Sequence, residues 1–188
     1  NVTSDTYYVP DGVTALGNYC FAYNNTIKNV VVSDSVENLG RAFDSSKVEN
    51  VVLPEGLEQI DSRAFRSTTA LKSVTIPSTV KVIEDNAFQK SAIKTITIPA
   101  TVETIGETAF GSSLVEEVIF EGNTSIQGYA FRGATKLRTV VMYGDDIQFI
   151  ASTLNGRNSM WFCNGESNNP NTSDIDFHVV SETMKERV

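Results

Sequence analysis

Histidine, cysteine and clustered carboxylates are the side chains from which a hydrolytic or metal site would be built, and this chain has few of them. Its one histidine, His178, falls two residues after Asp176, so both lie on the same side of a short alternating segment. A Ser/His/Asp or Cys/His arrangement needs such a histidine held against a nucleophile. No Gly-x-Ser-x-Gly turn accompanies it, and no cysteine is adjacent in sequence. The pair reads as solvated polar side chains near the C-terminus, with an enzyme built around them as the disfavoured alternative. Two cysteines and one histidine are too few for a zinc site or a disulfide framework. The acidic groups Glu116-Glu117-Glu121, Asp145-Asp146 and Asp174-Asp176 lack the Asp-x-Asp-x-Asp-Gly calcium loop. They are ordinary acidic surface for a chain of net charge −8. Glycine loops that cradle phosphates are absent, as are the cationic clusters that nucleic acid requires. No catalytic residue, cofactor or metal is expected.

What the residues do carry is a period. Small-plus-phenylalanine pairs recur at Cys20-Phe21, Ala42-Phe43, Ala64-Phe65, Ala87-Phe88, Ala109-Phe110 and Ala130-Phe131, with phenylalanines 22, 22, 23, 22 and 21 residues apart. A second column, Val30, Val51, Val74, Ile96, Val118 and Val140, advances by 21, 23, 22, 22 and 22. Between them run Leu16, Leu39, Ile60, Ile83, Ile105 and Ile126, and proline follows the strand at Pro10, Pro54, Pro77 and Pro99. Two independent columns with one period define a repeat array.

One unit explains the shape. In LKSVTIP (71–77), Val74 and Ile76 alternate with Ser73 and Thr75, the two-residue period of a strand with one buried face. Pro77 lacks an N–H and turns the chain away. Val80 and Ile83 then face inward across a corner, and EDNAF (84–88) suits a tight helical turn that delivers Ala87 and Phe88 to the interior. One such coil cannot offset the entropy of ordering its own residues, about 1–2 kcal/mol each. Stacking covers both its open faces and pairs strand with strand. Cys20 takes the place of the buried alanine and reads as a structural thiol. Some six coils, roughly 28 Å at strand spacing, would separate it from Cys163. A disulfide needs Cα atoms within about 7 Å, so these two remain unpaired with each other.

The stretch TIPSTVKVIEDNAFQKSAIKTITIPATVETIGETAF, with its strand–Pro–Val–Ile–Ala-Phe order, resembles the BspA-like class of bacterial leucine-rich repeats. The resemblance spans about residues 7–154 and is strongest over 48–142. It implies a right-handed β/α-type leucine-rich-repeat solenoid, β-rich, with one parallel sheet of about seven short strands and short helical turns. Departures are local: Ser33 and Glu121 stand where proline would, and the coil holding Phe149 and Leu154 has no Ala-Phe pair.

The organisation expected is therefore about seven repeats of 21–23 residues over 1–154, followed by an irregular loop, a strand and a helix over 155–188 that close the last coil. That loop holds Met160, Trp161, Phe162 and Cys163, and the strand alternates through Ile175, Phe177 and Val179. At the other end, Tyr7, Tyr8, Tyr19 and Tyr23 crowd the first coil, and the natural chain is expected to continue upstream. The apolar runs are only a few residues long, so no transmembrane segment is expected.

With no chemistry to place, the outward strand face is the candidate site. Stacking aligns Tyr8, Val31, Val52, Thr75, Thr97, Ile119 and Val141 in one column, and Asn29, Asn50, Ser73, Thr95, Glu117 and Thr139 beside it. A third column reads Lys28, Glu49, Lys72, Lys94, Glu116 and Arg138. An apolar stripe beside polar and charged ones suits a docked protein or glycoprotein, although β-branched residues also simply favour strands. The family resemblance implies a non-catalytic, secreted or cell-surface bacterial module for adhesion to host, matrix or other cells, and a monomer is expected. The alternative is a passive spacer that presents another domain. The 155–174 loop is the competing binding surface.

Overall fold

The structure, a computed structural model, describes residues 5–143, 148–149 and 176–179. Thirteen short strands, β1 to β13 in chain order, are found among these residues. They form two sets, according to their place in the coil. The first comprises β1 (Thr6–Tyr8), β2 (Asn29–Val31), β3 (Asn50–Val52), β5 (Ser73–Val74), β7 (Thr95–Ile98), β9 (Glu117–Phe120), β11 (Thr139–Met142) and β13 (Asp176–Val179). The second comprises β4 (Gln59–Ile60), β6 (Val82–Ile83), β8 (Thr104–Ile105), β10 (Ser125–Ile126) and β12 (Gln148–Phe149). All pairing is parallel and joins counterparts in successive coils, except that β5 does not pair with β7. The chain is a stacked solenoid.

Three expectations are corrected here. The strand face is not one sheet of about seven strands but two four-stranded sheets, β1-β2-β3-β5 and β7-β9-β11-β13. The corner that carries Ile60, Ile83 and Ile105 is itself a five-stranded parallel sheet, β4-β6-β8-β10-β12, with an Ala15–Asn38 bridge in the first two coils. Two residues per rung are too few to show alternation, so the column of Ile60, Ile83, Ile105 and Ile126 does not disclose in sequence that it is a sheet. Finally, no helix occurs among the described residues.

The segment around each phenylalanine shows why a helix does not form. In the coil of Phe65, Ala64, Arg66 and Thr68 donate N–H to carbonyls three residues back, at Asp61, Arg63 and Phe65. The intervening N–H groups of Arg63, Phe65 and Ser67 donate instead to Asp85, Ala87 and Gln89 of the next coil, at 3.3, 2.8 and 2.7 Å. Alternate amides thus serve the coil and its neighbour, which a helix, using every amide internally, could not do. The geometry requires left-handed residues. Arg63, Asn86, Thr108 and Tyr129 two before the phenylalanine, and Ser45, Ser67, Lys90 and Ser112 two after it, have φ between 51° and 65°. Each costs about 1–2 kcal/mol for a side chain with a Cβ, which the two-way hydrogen bonding offsets.

Inside, Phe21, Phe43, Phe65, Phe88, Phe110 and Phe131 form a single stack, with ring planes within 6° and successive centroids 4.9–5.2 Å apart. That repeat follows the spacing between stacked strands and lies in the favourable range for parallel rings. The expected Val/Ile column from Val30 to Val140 is buried throughout, as are Leu39, Ile60, Ile83, Ile105 and Ile126. Leu16 in the first coil is half-buried. Polar residues tie the corners: Asp61 Oδ2 accepts the N–H groups of Leu39 and Gly40, each at 2.8 Å, and Glu84 Oε2 accepts that of Ser62 at 2.8 Å.

Three residues after each phenylalanine from Phe43 to Phe131 stands a small buried side chain. Thr68 and Ser113 return their hydroxyls to the carbonyls of Phe65 and Phe110 at 2.7 Å, whereas the equivalent hydroxyls of Ser46 and Ser91 have no partner. Ala134 occupies the same rung in the sixth coil. Ser91→Ala is therefore expected to leave stability unchanged or raise it by up to about 1 kcal/mol, while Ser113→Ala lowers it by about 1 kcal/mol. Urea unfolding midpoints of the two variants make the comparison.

Candidate interaction face

The outward column forms in two blocks. Tyr8, Val31 and Val52 are in direct register across β1, β2 and β3, and Thr97, Ile119 and Val141 across β7, β9 and β11. Thr75 lies one residue beyond β5 and is not paired as a strand residue. Tyr8 and Val52 are 67% and 57% exposed, which leaves an apolar stripe accessible in the first block. Ile119 and Val141 are half-buried, so the second block is flatter.

The polar column divides in the same way. Asn29 and Asn50 are linked side chain to side chain at 2.8 Å, Asn29 reaches Thr6 at 3.4 Å, and Ser73 donates to Asn50 at 3.2 Å. Amides in the first block are thus committed to an internal ladder and are half-buried. Thr95, Glu117 and Thr139 are in register across the second block, where Thr95 is exposed.

Charge runs along the strand starts. Glu49 lies between Lys28, at 3.7 Å, and Lys72, with which it makes a close ion pair, and Lys94 pairs with Glu116 at 3.2 Å. The hydrogen bond from Lys72 holds Glu49 below the usual glutamate range, against a smaller opposing effect of desolvation. A carboxylate pKa depressed in the folded state contributes stability above its unfolded value and loses it as pH falls through the lowered one. Glu49→Gln is accordingly expected to flatten the acid limb of the stability–pH curve. Thermal unfolding between neutral and acidic pH reads this effect.

A cleft of about 390 Å³ interrupts the face between β5 and β7. Val74, Thr75, Ile76 and Ser78 line one wall, Thr95, Thr97 and Pro99 the other, and Glu55 and Glu121 its far end. The strand columns did not disclose it, because each coil alone satisfies the repeat. The signal was the pair Lys72 and Lys94, two like charges in successive rungs of a column that otherwise alternates.

The residues weighed for chemistry are dispersed. Cys20 is exposed, contrary to expectation. Its alanine counterparts are each covered by the preceding coil, and no described coil precedes the first. Chain on its other side still desolvates the thiol and pushes its pKa up, two backbone N–H groups opposing. Asp176 and His178 belong to β13, in register with Thr139 and Val141. Cys163, the 155–174 loop and the expected closing helix lie outside the described residues. Among the described residues, no group of three or more His, Cys, Asp or Glu is placed to hold a metal, and no helix is long and apolar enough to cross a membrane.

The sequence profile of the BspA type leucine rich repeat region matches residues 1–42 and 40–159, in six copies. The chain belongs to this family. Searching curated proteins finds no match to the BspA-type chain. Among solved structures, it is similar to a leucine-rich repeat protein from Bacteroides ovatus, at 23% identity and a TM-score of 0.60, over 76% of this chain and 43% of that one. It is also similar to a T. pallidum leucine-rich repeat protein, at 22% identity and a TM-score of 0.68, over 78% of this chain and 73% of that one. The BspA-type chain thus spans less than half the length of the B. ovatus protein, and both likenesses concern the fold. Repeats of this family and fold are typically non-catalytic and suit protein interaction.

Proposed function

We propose that this BspA-type chain is the protein-binding part of a secreted or surface-displayed bacterial protein that adheres to host, matrix or neighbouring cells. The outward β-branched stripe is its docking face, and the partner is a protein or glycoprotein. One observation carries the reading: a parallel hydrogen-bonded array holds an outward apolar column, Tyr8–Val31–Val52, with Tyr8 and Val52 exposed, beside polar and charged rungs. A stripe of short side chains on fixed backbone loses little entropy when covered. Family membership supports the surface location, since BspA-type repeat proteins are typically surface-exposed or secreted. The proposed division is a repeat array over 1–154 and a distinct terminal segment over 155–188, and the array acts as a monomer.

Immobilised matrix proteins and intact partner cells, probed with the purified chain, test the assignment. Val52→Glu is expected to weaken binding at least tenfold without changing the unfolding temperature, because Val52 is more than half exposed. Binding that survives this change and a companion Val141→Glu would transfer the role to the terminal segment. No binding to any surface would favour a spacer that presents another domain.

A further inference from the structure

The cleft between β5 and β7 coincides with a fault in the charge order. From the first coil onward, the residues at the strand starts read Asp5, Lys28, Glu49, Lys72, then Lys94, Glu116 and Arg138. Signs alternate at every step except between Lys72 and Lys94. At the other steps a backbone bond joins the same rungs: Lys28 to Asp5, Glu49 to Lys28, Lys72 to Glu49, Glu116 to Lys94 and Arg138 to Glu116, all at 2.6–2.9 Å. No such bond joins Lys94 to Lys72 among the described residues. Like charges directly opposite on neighbouring strands destabilise pairing, and here the sheet parts.

Only the strand face is divided. At the same level the second sheet continues from β4 through β6 to β8, Phe65 stacks on Phe88 at 5.1 Å, and Ala92 donates to Thr68 at 3.1 Å. The two half-sheets are joined through an intact back. Each lysine is held on its own half, Lys72 by Glu49 and Lys94 by Glu116, and both side chains are 69% exposed. Glu55 and Glu121 close the far end of the cleft, so an anion is favoured at the lysine end and repelled at the other.

We propose that this seam is a recognition point for an acidic segment of a protein partner, a carboxylate of which bridges Lys72 and Lys94 and draws the half-sheets together. The partner supplies the acid that the column lacks. One negative group converts a repulsive step into two attractive ones, and the parted strand edges can then pair. The site deepens the docking reading above and rests on it. It also makes recognition salt-dependent, because both lysines are exposed to solvent.

Amide hydrogen exchange with hexaglutamate as the probe tests the proposal, and no natural partner is needed. By the register of the adjoining strands, the N–H groups of Thr95 and Thr97 face the seam, as that of Glu117 faces Lys94. In the free protein these two amides are expected to exchange at least tenfold faster than those of Glu117 and Ile119. Hexaglutamate slows them at least fivefold, hexaglutamine does not, and Lys72→Ala with Lys94→Ala abolishes the effect. Lys94→Glu combined with Glu116→Lys and Arg138→Glu supplies the missing acid within the chain and keeps the signs alternating beyond it, and is expected to slow the same amides without peptide while circular dichroism stays unchanged. Slow exchange in the free protein, no response to hexaglutamate, or a response that survives the double alanine variant would each overturn the proposal. Closure by an anionic polysaccharide or anionic lipid vesicles but not by hexaglutamate would overturn the protein partner. Loss of matrix binding on Val52→Glu reads the docking face separately, so the two ideas can fail independently.

Discussion

Phe88→Ala is expected to lower the unfolding free energy by about 3–5 kcal/mol, the cost of removing a fully buried aromatic side chain. Phe88 sits in the middle of the ring stack, 5.1 Å from Phe65 and 5.2 Å from Phe110. Truncation opens a void between two coils whose backbones are fixed by hydrogen bonds on both sides, Phe65 N–H to Ala87 and Phe88 N–H to Ala109, so neighbours cannot collapse into it. The rise of the coil is set by the strands, not by the rings. In a linear array, stability is approximately the sum of coil and interface contributions, and an interior rung contributes to two interfaces. The terminal rung is the control: Phe21 has one phenylalanine neighbour, with Tyr7 edge-on at 5.6 Å, and Phe21→Ala is expected to cost less. Guanidinium unfolding followed by circular dichroism checks both values. A second transition in Phe88→Ala alone would show that the interior loss uncouples the halves of the array.

Arg66→Ala is the second large effect. Asp44 is fully buried and takes three contacts from the Arg66 guanidinium, Nε at 3.2 and 3.0 Å from its two oxygens and an Nη at 3.0 Å. Ser45 adds one hydroxyl bond at 2.9 Å. Removing the arginine leaves a buried carboxylate with that single donor, and loss of one partner of a buried pair costs about 3–5 kcal/mol. The companion Asp44→Ala/Arg66→Ala variant removes the stranded charge and is expected to be markedly more stable than Arg66→Ala. A double-mutant cycle by chemical denaturation measures the difference. Equal stability of the single and double variants would show that solvent reaches Asp44. The pair links coils two and three beside the phenylalanine stack.

These two residues differ in how far the chain alone discloses their roles. Phe88 is legible without coordinates, because the Ala-Phe pair returns every 21–23 residues and nothing but an interior rung explains such a column. Asp44 and Arg66 are not. They occupy positions that in other coils hold Gln89, Gly111 or Arg132, and only stacking brings residues 22 apart within hydrogen-bond reach.

The chain by itself determines which residue of each coil faces in, because burial of Val, Ile and Phe against polar neighbours writes a period into the sequence. It also determines that outward columns exist, with Tyr8, Val31 and Val52 in one and Asn29 and Asn50 in the next. Tertiary structure decides how the coils hold each other. Two-residue strands such as Val82–Ile83 acquire their identity from the rungs they pair with. The EDNAF segment forms linked turns, not a helix, because the amides of Asn86 and Phe88 are drawn to the next coil and that of Glu84 to the preceding one. Cys20 is exposed by its place in the first described coil and not by its residue type. Lys72 and Lys94 become a seam only when register sets one rung above the other. Burial is a property each residue carries along the chain, whereas hydrogen bonds and like-charge contacts between coils exist only once the coils are stacked.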